Sequence, residues 1–213
     1  MSPLLPSVMG CFCFGARPLR LPSRWLMRVI LWSVVIGAIN PVPVFAKPAR
    51  VILFRHAEKP ADENDNHLSE RGRERARALV RFFATQFGVS TNQPPAALFA
   101  TRQTRGAASL RTRETLEPLA IALKLPIHAP EKAADFALLA RRLLESPDYD
   151  GKTVVVCWVH DELGDFASAL GAKPKPKDWK KDDFDRVWVI SFKTNGIRCK
   201  TVLQKLLPGD ASE

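Results

Sequence analysis

From Arg50 onward, short apolar runs alternate with stretches of helical spacing. Val51-Ile52-Leu53-Phe54 is apolar throughout and begins with two β-branched residues, the pattern of a buried strand. After the polar loop 61–67, Ser69 is placed to cap a helix over "SERGRERARALVRFFATQF". Its apolar positions Ala76, Leu79, Val80 and Phe83 fall at 3,4 spacing. "AALFA" (96–100) reads as a second strand and "TRQTRGAA" as a basic loop. "SLRTRETLEPLAIALKL" reads as a helix with an interruption expected at Pro118, and "PIHAP" as the loop that ends it. "KAADFALLARRLLES" is a third amphipathic helix, closed by Pro147. "GKTVVVCWVH" (151–160) is the strongest strand, apolar enough for both faces to be covered. "DELGDFASALG" then reads as a helix stopped by Gly171. "RVWVISF" and "IRCKTVL" flank a hairpin signal at Asn195-Gly196. Strands alternating with helices predict an α/β chain: a three-layer α/β/α sandwich with a largely parallel central sheet.

The first 46 residues break this pattern. They hold Arg17, Arg20, Arg24 and Arg28 and no acid, then an apolar run over 29–39, then Val44-Phe45-Ala46 before Lys47. Basic region, short apolar region and small-residue site are the order of a cleaved signal peptide. The apolar run is too short to span a bilayer, which needs about 20 residues. The expected location is therefore periplasmic or secreted, with cleavage after Ala46. An uncleaved inner-membrane anchor is the alternative, and the only expected route to membrane contact. Residues 47–207 form one expected domain, and 208–213 an expected disordered tail.

The 213 residues are 46% hydrophobic, 25% charged and +10 in net charge. Losing the four N-terminal arginines leaves +6, and the remaining chain suits one core. Cys157 and Cys199 lie in separate strand-like runs, and an exported protein could pair them. Two free thiols are the preferred reading. No metal-ligand spacing appears. No basic-aromatic stripe or groove-reading motif points to nucleic acid. The run Lys173, Lys175, Lys177, Lys180 and Lys181 reads as a solvated loop that could steer anions. His67 and His128 read as loop residues, and Trp158 as core.

The chemistry gathers at strand ends. In open α/β sheets the site lies at the carboxyl ends of the strands. Arg55-His56 ends the first strand, and His160 ends the "TVVVCWVH" run. The parallel sheet would bring both to one edge.

These segments resemble the histidine phosphatases, the phosphoglycerate mutase-like superfamily. "FRHAEK" resembles the family's Arg-His-Gly/Ala motif. "HLSERGRERARAL", with Leu68, Ser69 and Gly72, resembles the helix that follows it. "LFATRQTRGAASLRTRETLEPLA" resembles the segment supplying a second arginine, and "VVVCWVHDEL" the strand carrying a second histidine. Four motifs in family order span roughly 50–192. The resemblance implies that His56 is the phosphorylated nucleophile and that Arg55 and Arg111 are phosphate ligands. His160 is the implied second pocket histidine, and Arg102, Arg105 and Arg113 are neighbours that leave the register of Arg111 open. It implies a phosphomonoester hydrolase without cofactor or metal.

Physical chemistry is consistent with that reading. A transferring phosphoryl group spreads charge over three oxygens and needs cationic donors around it. Arginine forks supply them, a protonated His160 would add a third, and a neutral imidazole is a competent nucleophile. The leaving alkoxide needs an acid. Asp161 is the first choice, with Glu162 and a carboxylate near Glu131 or Asp135 as alternatives. Asp161 could instead cap the following helix. Without a dedicated acid, acyl, aryl or histidine-bound phosphate would still be within reach. Export points to a small phosphorylated nutrient or an envelope phosphate group as substrate. The rival reading is a non-catalytic phosphate-binding or envelope-interaction protein on the same fold.

Overall fold

The computed structural model describes residues 47–62, 64–104, 110–176 and 179–210. The expected signal peptide and its cleavage site lie outside the described residues. In chain order the elements are strand β1 (Arg50–Arg55), helix α1 (Glu70–Phe87), β2 (Ala97–Phe99), α2 (Arg111–Leu123) and β3 (Ile127–His128). A 3-10 turn (Ala133–Asp135) leads into α3 (Phe136–Glu145). Then come β4 (Thr153–Trp158), α4 (His160–Ala169), β5 (Arg186–Lys193) and β6 (Gly196–Leu203).

The six strands form one sheet in the order β3-β2-β4-β1-β5-β6. The first four in that order are parallel, β5 runs antiparallel to β1, and β6 runs antiparallel to β5. The layers follow from alternation along β1 and β4, where Phe54 lies opposite Cys157 and Arg55 opposite Trp158. Successive side chains point to opposite faces. On one face Phe54 meets Phe83 of α1 with ring centroids 5.6 Å apart, and Cys157 lies against Thr115 of α2. On the other, Trp158 meets Phe166 of α4 at 5.3 Å, and Phe166 meets Phe136 of α3 at 6.0 Å. Helices α1 and α2 therefore cover one face and α3 and α4 the other. Both faces being covered is why β1 and β4 are apolar without alternation.

Local signals explain the element ends. The Ser69 hydroxyl accepts the Gly72 N–H at 3.0 Å and caps α1, and Gly88 ends it at φ +67°. The β5–β6 turn has Lys193 opposite Gly196, with Gly196 taking the left-handed φ of +121°.

Several expectations need correction. Helix α2 runs through Pro118. The proline removes one bond to the Glu114 carbonyl, but Leu116, Leu119, Ala120 and Leu123 are buried along α2, and packing outweighs the lost bond. "PIHAP" contributes a two-residue strand, so His128 is a strand residue, exposed, with its ring 5.6 Å from Phe99. The tail expected to be disordered from 208 is ordered through Asp210. The Asp210 carboxylate accepts bonds from Arg75 and from the Leu206 and Leu207 N–H groups.

Cys157 and Cys199 are free. Their strands, β4 and β6, are separated by β1 and β5, which at about 4.8 Å per strand puts them roughly 14 Å apart. A disulfide needs Cα atoms within about 7 Å. Among the described residues no helix is long and apolar enough to cross a membrane.

Candidate active site

The site is built where β1 and β4 end side by side. The His56 N–H donates to the Trp158 carbonyl at 3.2 Å, extending the β1–β4 ladder one residue past β1. His160 does not end β4, as its run suggested. The strand stops at Trp158, Val159 is extended, and His160 is the first residue of α4. The strand-to-helix turn is so short that the histidine still lands at the sheet edge, now with a helix N-terminus behind it.

His56 is 5% exposed. Its Nδ1 lies 2.7 Å from the Ala57 carbonyl oxygen, which can only accept. Nδ1 therefore carries the proton, and Nε2 keeps its lone pair. Burial is the main reason its pKa falls to about 3; the Ala57 bond opposes this, while Arg55, Arg111 and His160 reinforce it. The imidazole is neutral at physiological pH. The same interactions place Arg55, Arg111 and His160 in electrostatic reach of His56, so four of the expected residues converge.

Arg55 is 2% exposed. Its Nη1 donates to the carbonyls of Lys180 (3.3 Å), Lys181 and Asp183 (3.4 Å), and its guanidinium carbon lies 4.0 Å from the centre of the Phe184 ring. Burial lowers its pKa to about 10, against the pull of Asp161, Asp183, Asp182 and Glu58. It stays cationic at neutral pH. Its Nε is buried without a hydrogen-bond partner among the described residues, so a buried donor stands ready for an acceptor.

Arg111 opens α2. Its Nε donates to the His67 carbonyl at 3.1 Å and its Nη2 to that of Asp65. His160 is partly buried, and its pKa is lowered chiefly by burial, then by Arg55, with Asp161 opposing and Lys181 and Lys59 adding to the fall. A dianion arriving here would shift it back toward the charged form.

The acid candidates separate clearly. Asp161 is 76% exposed, with its Oδ1 3.1 Å from His160 Nε2. Val159, not Asp161, holds the cap position of α4. Glu162 is partly exposed on the same first turn. Glu131 is engaged with Arg142 at 2.7 Å, and Asp135 precedes α3. Asp161 alone of these is shown against a site histidine.

Supporting residues hold the loop after His56. The Ala57 N–H donates to the Thr115 hydroxyl at 2.9 Å. The Glu58 carbonyl accepts from Ser69 N–H at 3.0 Å and Ser69 Oγ at 3.2 Å. Gly72 is needed for this approach: a Cβ there would lie well inside 3.0 Å of the Glu58 carbonyl oxygen. The Glu58 side chain pairs with the buried Arg75, which also binds Asp210 and Gln204. Sequence reasoning missed Phe184 and the 180–183 carbonyls, because backbone acceptors leave no mark in composition. It also missed Arg75, which looked like one more charge on a basic helix. His67 is exposed as expected, and Trp158 is core, with its indole N–H on the Ala133 carbonyl at 3.0 Å.

No protein-family model matches the sequence, and no curated protein does. Among solved structures, the chain is similar to SixA of Agrobacterium tumefaciens, described as a provisional phosphohistidine phosphatase. Identity is 15%, with 73% of this chain and 96% of that one covered at a TM-score of 0.46. It is similar to a mycobacterial glucosyl-3-phosphoglycerate phosphatase solved with inorganic phosphate, at 14% identity, 73% and 96% coverage and a TM-score of 0.43. It is also similar to the alpha-ribazole phosphatase of Shigella flexneri, at 14% identity, 76% and 100% coverage and a TM-score of 0.45.

Proposed function

We propose that the chain is a histidine phosphatase that hydrolyses phosphomonoesters without a metal, through a phosphohistidine on His56. One observation carries the reading: a buried, neutral imidazole with its Nδ1 proton fixed on Ala57 and its Nε2 lone pair free, within electrostatic reach of Arg55, Arg111 and His160. Nε2 attacks phosphorus and forms an N–P bond as the ester P–O bond breaks. The leaving oxygen takes a proton from Asp161 or from water. Water then attacks phosphorus, a P–O bond forms as the N–P bond breaks, the water's proton returns to Asp161 or to solvent, and inorganic phosphate leaves. Arg55, Arg111 and a protonated His160 offset the charge on the equatorial oxygens. The N-terminus of α4 adds its partial positive charge.

The exposure of Asp161 narrows the substrates. An acid so open to water is held loosely against a leaving oxygen, so esters with good leaving groups should turn over fastest. We further propose that the protein is exported, on the pattern of residues 1–46, and meets a small phosphorylated solute or an envelope phosphate group. Cell fractionation with N-terminal sequencing checks this, and a cytosolic protein retaining residues 1–46 would refute it.

The decisive assay is hydrolysis of an aryl phosphate from pH 4 to 8, with and without chelator, beside His56→Ala. Chelator-resistant turnover absent from the variant is expected. Because His56 is already neutral well below pH 6, no acid limb near 6.5 should arise from it. Phosphate binding without turnover at any pH would favour the non-catalytic phosphate binder.

A further inference from the structure

Arg111 is gripped by the loop before α1. Its Nε and Nη2 donate to the carbonyls of His67 and Asp65. Those carbonyls can hold a fork in one orientation only if the peptide planes of 65–68 are themselves fixed.

Three contacts fix them. Glu114, one turn along α2 from Arg111, accepts the Leu68 N–H through Oε2 at 2.8 Å. Its Oε1 meets His67 Nδ1. The Leu110 N–H donates to the Asn66 carbonyl at 3.0 Å. Within the loop, the His67 N–H donates to Asp65 Oδ1 at 2.8 Å. The N–H groups of 67 and 68 thus point to carboxylates and the carbonyls of 65 and 67 to Arg111. A carboxylate accepting a backbone N–H is one of the stronger hydrogen bonds a loop can have. A serine or alanine at 114 could not span the same gap.

We infer that Glu114 is a positioning residue for Arg111, acting through the 65–68 strap and not on the substrate. This rests on the proposed function for its catalytic consequence, but not for its structural one. Glu114 does not touch His56, Arg55 or His160 in any bond described above. Its loss should free the strap, let the Arg111 fork swing, and weaken phosphate recognition more than nucleophilic attack.

The test is NMR of arginine Nε–H groups in the intact protein, with Arg111→Lys used to assign the signal. In wild type the Arg111 Nε–H should exchange slowly. In Glu114→Ala its exchange should quicken about tenfold or more, while the buried Arg75 Nε–H, held by Glu58, stays unchanged as the internal control. Glu114→Gln, which keeps one acceptor for Leu68, should lie between. Unchanged Arg111 exchange in a folded Glu114→Ala overturns the inference, whether or not the protein is an enzyme. In parallel, aryl phosphate kinetics should show KM and the inhibition constant of inorganic phosphate rising about 5- to 20-fold, with kcat falling less. Wild-type KM together with quickened exchange would also overturn the catalytic half. If wild type neither binds phosphate nor turns over, the phosphatase reading fails while the exchange result still judges the strap.

Discussion

Gly72→Ala sets two known effects against each other. On an exposed helix, replacing glycine by alanine gains about 1 kcal/mol. Here the new Cβ would lie 3.0 Å from the Glu58 nitrogen, 3.2 Å from its carbonyl carbon and closer still to its oxygen. A relaxed C···O separation is about 3.4 Å, so the backbone must move by up to about 1 Å. The obstacle cannot swing aside as a side chain would. Glu58 is tied by Ser69 through its carbonyl and by Arg75 through its carboxylate. Overpacking of that kind costs about 3 kcal/mol, leaving a net loss of about 2 kcal/mol. For a domain of this size that is a melting-point fall of about 4–8 °C. Glu58 is two residues from His56, and misplacing a reacting group by about 1 Å can cost 100-fold in rate. With the shift shared along the loop, kcat should fall 10- to 100-fold. Calorimetry and aryl phosphate kinetics measure both. A variant that melts higher than wild type with unchanged kcat would refute the reasoning, because helix propensity would then have prevailed and Glu58 would not press on α1.

Other perturbations follow from the same structure. Asp210→Ala removes two Arg75 contacts and the acceptor for the Leu206 and Leu207 N–H groups. Arg75 keeps Glu58 and Gln204, so the cost should be about 2–4 kcal/mol, toward the lower end for a broken buried pair, and a urea midpoint within error of wild type would contradict it. His56 sits near pKa 3 when folded and near 6.5 when unfolded. The unfolded chain then binds more protons between those values, and stability should fall as pH drops from 6.5, by at most about 1.4 kcal/mol per unit. His160, also lowered, contributes with the same sign, and urea titrations of wild type and His56→Phe at pH 7, 6 and 5 should show the slope shrinking in the variant. In residues 47–213, reductant should leave the melting point unchanged, because Cys157 and Cys199 lie three strands apart; a reductant-sensitive transition of that segment as a monomer would contradict this sheet order.

The sequence by itself determined the element types wherever burial imposes a pattern on neighbouring residues. Val51–Phe54 and Val154–Trp158 show it, and so does the Ser69 cap, because each depends on forces acting within a few residues. It also brought His56 and His160 to one sheet edge, since parallel strands deliver their ends together. Tertiary structure alone decided what depends on residues distant in the chain. Whether Pro118 breaks a helix is set by the core beneath it. Whether Asp210 is tail or clasp is set by a buried arginine 135 residues away. Backbone carbonyls help hold Arg55 and Arg111, and every residue carries one, so no composition reveals them. The charge state of His56 belongs to the same class: burial sets it, and burial is a property of the folded chain.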